Sequence, residues 1–85
     1  MTDEKSKDAH NQNILESLLK ELRVNAGMRQ IDVATKLGIQ QSMVSKYEVG
    51  ERRLDILEVR KLCELFHISL SEFSNLLEER IKQKK

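Results

Sequence analysis

The stretch RQIDVATKLGIQQSMVSKYEVGERR, Arg29 to Arg53, decides how the rest of the chain is read. Ile31, Val33, Ala34 and Leu37 form an apolar face of about two helical turns, closed by Gly38. Asp32, in the first of those turns, complements the positive end of the helix dipole. A few residues on, Val44 and Tyr47 repeat the i, i+3 spacing, and Gly50 ends the run. Two brief helices joined by a glycine-containing turn make a helix-turn-helix, with Gln40, Gln41 and Ser42 at the leading edge of its second helix.

Such a helix fits the major groove of DNA, with its N-terminal side chains at base edges. The residue types suit that place. Glutamine makes a bidentate pair with adenine, serine donates to or accepts from several edges, and lysine reaches guanine or a phosphate. Gln40, Gln41, Ser42, Ser45 and Lys46 are therefore the candidates to touch bases, and Met43 either meets a thymine methyl or packs against the turn. Gln30 opens the first helix of the motif, where amide donors hold a phosphate, and Arg29, Arg52 and Arg53 flank the same surface. From composition alone a solvated polar face is the favoured reading of the same residues.

Working outward, the chain of 85 residues supports one small domain with a single core. Its apolar share of 39%, with no proline and three glycines, favours compact helices over disorder, because burial must offset the entropy of folding. A net charge of +1 announces no nucleic-acid partner, so an electrostatic case has to rest on where the charges sit. With Cys63 as the single cysteine there is no internal disulfide, and neither a signal region nor a membrane span is legible. The expected compartment is the cytoplasm.

The opening MTDEKSKDAHNQN has almost nothing to bury and reads as a flexible tail over residues 1–12, leaving 13–85 as the folded domain. Asp3, Glu4 and Asp8 weigh against its serving as a DNA-touching arm. From Ile14 the pattern changes: Ile14, Leu15, Leu18, Leu19 and Leu22 recur at helical spacing, with Gly27 as the stop. Arg23 lies near this stripe, where a cation is unusual without a partner.

Beyond the central stretch, Asp55 and Glu58 resemble a capping box that starts a fourth helix, in which Val59, Leu62, Cys63 and Phe66 form a buried stripe. Cys63 is then a small core residue, since His67 stands at no metal-ligand spacing from it. Ser69 and Glu72 form a second capping box, opening a fifth helix with Leu70, Phe73, Leu76, Leu77 and Ile81. Leu76, Leu77 and Ile81 exceed what so small a core needs, so either a second copy of the chain covers them or the helix folds back along its own domain. The lysines of the closing EERIKQKK complement the helix C-terminus. No arrangement of nucleophile, base and oxyanion donors is present, nor a phosphate-binding glycine loop. The expectation is a non-enzyme without metal, cofactor or evident small-molecule ligand.

Taken together, LKELRVNAGMRQIDVATKLGIQQSMVSKYEVGERR resembles the helix-turn-helix family of phage repressors, Cro proteins and xenobiotic-response-element regulators. The likeness runs from about Leu15 to Phe73 and rests on several features at once: Leu22 and Arg23 before Gly27, Gln30, Ala34, Leu37-Gly38-Ile39, then Val44, Tyr47, Glu48 and Gly50. It implies an all-α, five-helix, lambda-repressor-like domain that reads double-stranded DNA as a homodimeric regulator. It also implies that Gln30 holds a phosphate, that Gln41, Ser42 and Lys46 face bases, and that Arg23 pairs with Glu48. The chain departs from the pattern in having Arg29 and Gln40 where better caps are usual, and Glu51 where a basic residue often follows the glycine. A protein-interaction or antitoxin-like module whose helix-turn-helix no longer reads DNA is the alternative.

Overall fold

The computed structural model describes residues 2–83, with side chains from residue 10 onward. The architecture is the expected all-α, five-helix one: α1 (Thr2–Asn25), α2 (Gln30–Leu37), α3 (Gln41–Glu48), α4 (Ile56–Leu65) and α5 (Leu70–Gln83). Helix α1 begins much earlier than the apolar pattern indicated. The opening read as a tail over residues 1–12 is helical from Thr2 onward. Its Glu, Lys, Ala and Gln residues favour helix but form no apolar stripe in the sequence, so periodicity did not mark the start of the helix. Met1 and the closing Lys84 and Lys85 lie outside the described residues, as do the side chains of Asp3, Glu4 and Asp8.

One core joins all five helices. Leu18 and Leu19 of α1 meet Val33 and Ala34 of α2, Val44 and Tyr47 of α3, Leu62 and Cys63 of α4, and Phe73 of α5. Burial pushes the Cys63 thiol above its ordinary pKa, which suits a packing residue better than a reactive one.

Helix α1 also buries two charged side chains, Glu16 and Arg23, seven residues apart on one flank and both turned toward the end of α3. Arg23 takes hold of Glu48, the last residue of α3. The Glu16 carboxylate lies over Gly50: a Cβ there would come within 2.9 Å of both its oxygens. Gly50 also has φ 85°, so crowding and backbone conformation both favour glycine.

The helix ends are unequal. α4 and α5 have complete capping boxes: Glu58 N donates to Asp55 Oδ1 at 2.8 Å with the return bond at 2.9 Å, and Glu72 N donates to Ser69 Oγ at 3.0 Å with the return at 3.1 Å. α2 has only half of one, because Arg29 has no acceptor to offer: Arg29 N donates to Asp32 Oδ2 at 2.8 Å. At the start of α3, Gln40 makes no side-chain cap. Gly38 ends α2 in the left-handed region (φ 68°), and after α4 His67 takes that conformation (φ 62°) without a glycine's freedom.

Candidate nucleic-acid interface

The helix-turn-helix is anchored from below by one guanidinium. Arg23 Nε donates to Glu48 Oε2 at 2.6 Å and Nη2 to Oε1 at 3.1 Å, while Nη1 donates to the Met28 carbonyl at 2.8 Å. The side chains are 10% and 2% exposed, so the pair is shielded from water and salt. Hydrogen bonding to Glu48 raises the Arg23 pKa, with burial pulling the other way, and the guanidinium stays charged.

From this pair a chain of hydrogen bonds runs to the surface. Gln30 Nε2 donates to Glu48 Oε1 at 3.0 Å, and Gln41 Nε2 donates to Gln30 Oε1 at 3.5 Å. The order of the atoms follows from the ionised end. A carboxylate only accepts, so Gln30 must turn its amino group toward Glu48 and its carbonyl toward Gln41. Gln41 is then left with its own carbonyl and one N–H for whatever approaches, and Gln30 keeps one N–H. The last bond is at the long limit and holds Gln41 loosely.

Along α3, Gln41, Ser42 and Lys46 are exposed, Ser45 is half-buried, and Gln40 is exposed at the cap. Val44 and Tyr47 form the opposite, buried face. Met43 is half-buried and faces a cavity against α4, so it belongs with the packing.

The flanking arginines differ in what they are already doing. The Arg29 side chain is 79% exposed but held by Asp32, with Nη2 to Oδ1 at 3.0 Å, and the arginine keeps the Asp32 carboxyl below its ordinary pKa. Arg52 Nη2 donates to Glu58 Oε2 at 2.9 Å, which fixes it against α4. Arg53 is exposed and lines a groove with Leu15, Leu77 and Ile81, on the α1–α5 side of the molecule. Glu51 is exposed.

On α5, Leu76, Leu77 and Ile81 are half-buried, with Leu76 and Leu77 packed against the core. Arg80 ties α5 to α1, donating to both oxygens of Glu21 at 3.0 and 2.7 Å. The most exposed large apolar side chains lie elsewhere: Val49 at 65%, Ile56 at 62% and Leu57 at 68%. No described cluster of His, Cys, Asp and Glu could hold a metal ion, and no described helix is long and apolar enough to cross a membrane.

Two features escaped sequence reasoning. Asp32 was read only as a dipole partner, whereas it also clamps Arg29; its position three residues after the cap was the available signal. The burial of Glu16 was missed, although its spacing of seven from Arg23 places both on one flank of α1.

A helix-turn-helix family model matches residues 19–73, which covers all of α2, α3 and α4 and the opening of α5. Neither the curated proteins nor the solved structures contain a match to the chain. The match takes in Arg23, Glu48, Gln30 and Gln41, the four residues whose bonds link α1 to the exposed edge of α3, and over that span the chain is a member of the Cro/C1-type helix-turn-helix family of DNA-binding regulators.

Proposed function

We propose that the protein is a homodimeric transcriptional repressor that places α3 in the major groove of a palindromic operator. The observation that carries this reading is the bonded series Arg23, Glu48, Gln30 and Gln41, which orients polar groups at the N-terminal ends of α2 and α3 before any DNA arrives. Preorganised donors spare the ordering cost at binding. Gln41 would pair with an adenine through its free carbonyl and remaining N–H, Ser42 and Lys46 would read or support neighbouring positions, and Gln40 and Ser45 would stand at either side. The remaining N–H of Gln30 would hold a phosphate, joined by Arg29, Arg52 and Arg53.

Arg29 and Arg52 share their charge with Asp32 and Glu58. Phosphates therefore compete with carboxylates for two of the three arginines, which lowers the salt dependence expected from counting cations. Pairing through Leu76, Leu77 and Ile81 of α5 would set two reading helices about 34 Å apart, one turn of DNA. Occupying a promoter is enough for repression, and no further segment is required for it.

Selection of bound oligonucleotides, repeated at about 50 and 200 mM salt, tests the reading. An enriched palindrome whose binding weakens as salt rises is expected. No enriched sequence and no salt effect would sink it in favour of a protein-interaction module, which the net charge of +1 also suits. Sedimentation of Ile81→Lys tests the pairing surface: a dimer that persists would shift it, with Ile56 and Leu57 as the next surface to substitute.

A further inference from the structure

A groove opens between α1 and α5, lined by Asn11, Gln12 and Leu15 of α1, Leu77 and Ile81 of α5, and Arg53 from the loop before α4. Leu15, Leu77 and Ile81 are each half-buried, so apolar surface is left uncovered there. Arg53 is exposed and has no ion-pair partner among the described residues. The described lining thus offers apolar side chains, neutral amides and a cation, with no acid among them. An occupant has to bring apolar side chains and a negative charge. The same side of α5 carries both. Glu78 lies beside Ile81 at i, i+3, on the flank of α5 opposite Leu76 and Arg80. It is exposed, and it too has no ion pair among the described residues. The cation on the other flank is already engaged, since Arg80 holds Glu21.

We propose that this groove is a contact surface between two copies of the chain, in which the apolar side chains of the two grooves cover one another and Arg53 of each copy pairs with Glu78 of the other. The inference rests on the homodimer reading above and adds to it α1, the loop before α4 and the charged pairs that set the register. A two-fold contact needs a surface complementary to itself. An apolar centre with one unspent cation and one unspent acid beside it meets that need, because a contact of Arg53 with Glu78 made once is made twice. The arrangement is that of a protein interface, apolar within and polar at the rim. DNA suits the groove less, since a phosphate serves Arg53 but leaves Leu15, Leu77 and Ile81 in water. As with Arg29 and Arg52, a phosphate would reach Arg53 only in competition with a carboxylate.

Arg53→Glu and Glu78→Arg, made singly and together in the full chain, test the pairing by sedimentation equilibrium at about 50 mM salt, where screening is weak. Both positions are exposed, so the variants keep the fold, which circular dichroism checks. Each single variant sets like charges together at both contacts and should dimerise on the order of tenfold more weakly. The double variant restores opposite charges and should regain most of the native affinity. Mixing the two single variants is the decisive arm. A mixed dimer has opposite charges at both contacts, so each variant should prefer the other to itself in native mass spectrometry. A contact within one chain would rescue the double variant but not the mixture, and a mixture without preference overturns the proposal. A native dimer insensitive to both single substitutions sinks this assignment alone, and loss of operator binding by Arg53→Glu with that dimer intact returns Arg53 to the phosphates. A native chain that stays monomeric sinks the homodimer reading together with it.

Discussion

Helix α1 is clasped to its neighbours twice by the same chemistry in different surroundings. Arg23 holds Glu48 of α3 through two bonds at 2.6 and 3.1 Å, and Arg80 of α5 holds Glu21 through two bonds at 3.0 and 2.7 Å. The geometry is nearly equal, but the exposure is not: the first pair has side chains 10% and 2% exposed, the second 32% and 46%. Water already solvates the outer pair and salt screens it, so little is lost when it opens. The inner pair has given up its water, and either member alone would be a stranded charge. The inner pair also has a further duty, since Glu48 orients Gln30, whereas the described hydrogen bonds of the outer pair end with its own two members.

The sharpest way to break this contrast is Arg23→Ala. We expect a loss of about 3–5 kcal/mol in denaturant unfolding; a loss below about 1 kcal/mol would show that apolar packing alone holds α1 to α3. A paired replacement, Arg23→Met with Glu48→Leu, separates stability from reading. It should recover most of the fold, because apolar residues of similar volume replace buried ion pairs well. It should still bind a selected operator more weakly than the native chain, with Gln30 no longer oriented. Full operator affinity in that variant would remove the hydrogen-bonded series from the mechanism.

Gly50→Ala comes next. The left-handed backbone and the overlying Glu16 carboxylate together should cost roughly 1–3 kcal/mol. Adding Glu16→Ala should return the part due to crowding, and thermal melts of the four combinations would measure it. Asp55→Ala should cost about 1 kcal/mol through loss of a cap, against almost nothing for Gln40→Ala, which has no cap bond to lose. Circular dichroism melts resolve the two.

The smallest effect belongs to the outer clasp: Arg80→Ala should cost about 0.2–1 kcal/mol, less as salt is added. Its pH dependence has a definite sign. Hydrogen bonding to Arg80 holds the Glu21 carboxyl below its ordinary value, so this stabilisation is complete above the unfolded pKa. It fades as pH falls from about 4.3 through the lower folded value. Glu58 behaves alike, lowered first by the Asp55 backbone N–H and then by Arg52, and its share should persist in Arg80→Ala. Acid titration of stability in the two proteins would distinguish the contributions.

What was legible in the sequence was whatever repeats or punctuates locally. Val44 and Tyr47, Gly38, and the Asp55 and Ser69 boxes placed helices α3 to α5 because spacing and capping are properties of neighbouring residues. The start of α1 was not legible, since the sequence of its opening turns carries no apolar stripe. Nor was the shielding of Glu16 or the cavity beside Tyr47. Each depends on which residue another segment presents, and side-chain partners across α1, α3 and α4 leave no periodic trace in any one of them. The base-facing candidates were found by residue type, but the order in which Glu48, Gln30 and Gln41 hold one another required coordinates.

The contact of Glu16 with Gly50 has a consequence for how the chain can vary by descent. A side chain at position 50 has to displace the carboxylate of position 16. A random library at Gly50 alone should be enriched in glycine, because every other residue meets the carboxylate as well as the left-handed backbone. Once Glu16 has shortened, asparagine, which tolerates the left-handed region, becomes the first replacement open to it. The order of the two changes matters: shortening at 16 removes the crowding over Gly50, whereas a side chain at 50 in the original background must first move the carboxylate. Lineages that have lost the glycine should therefore carry a small residue facing it.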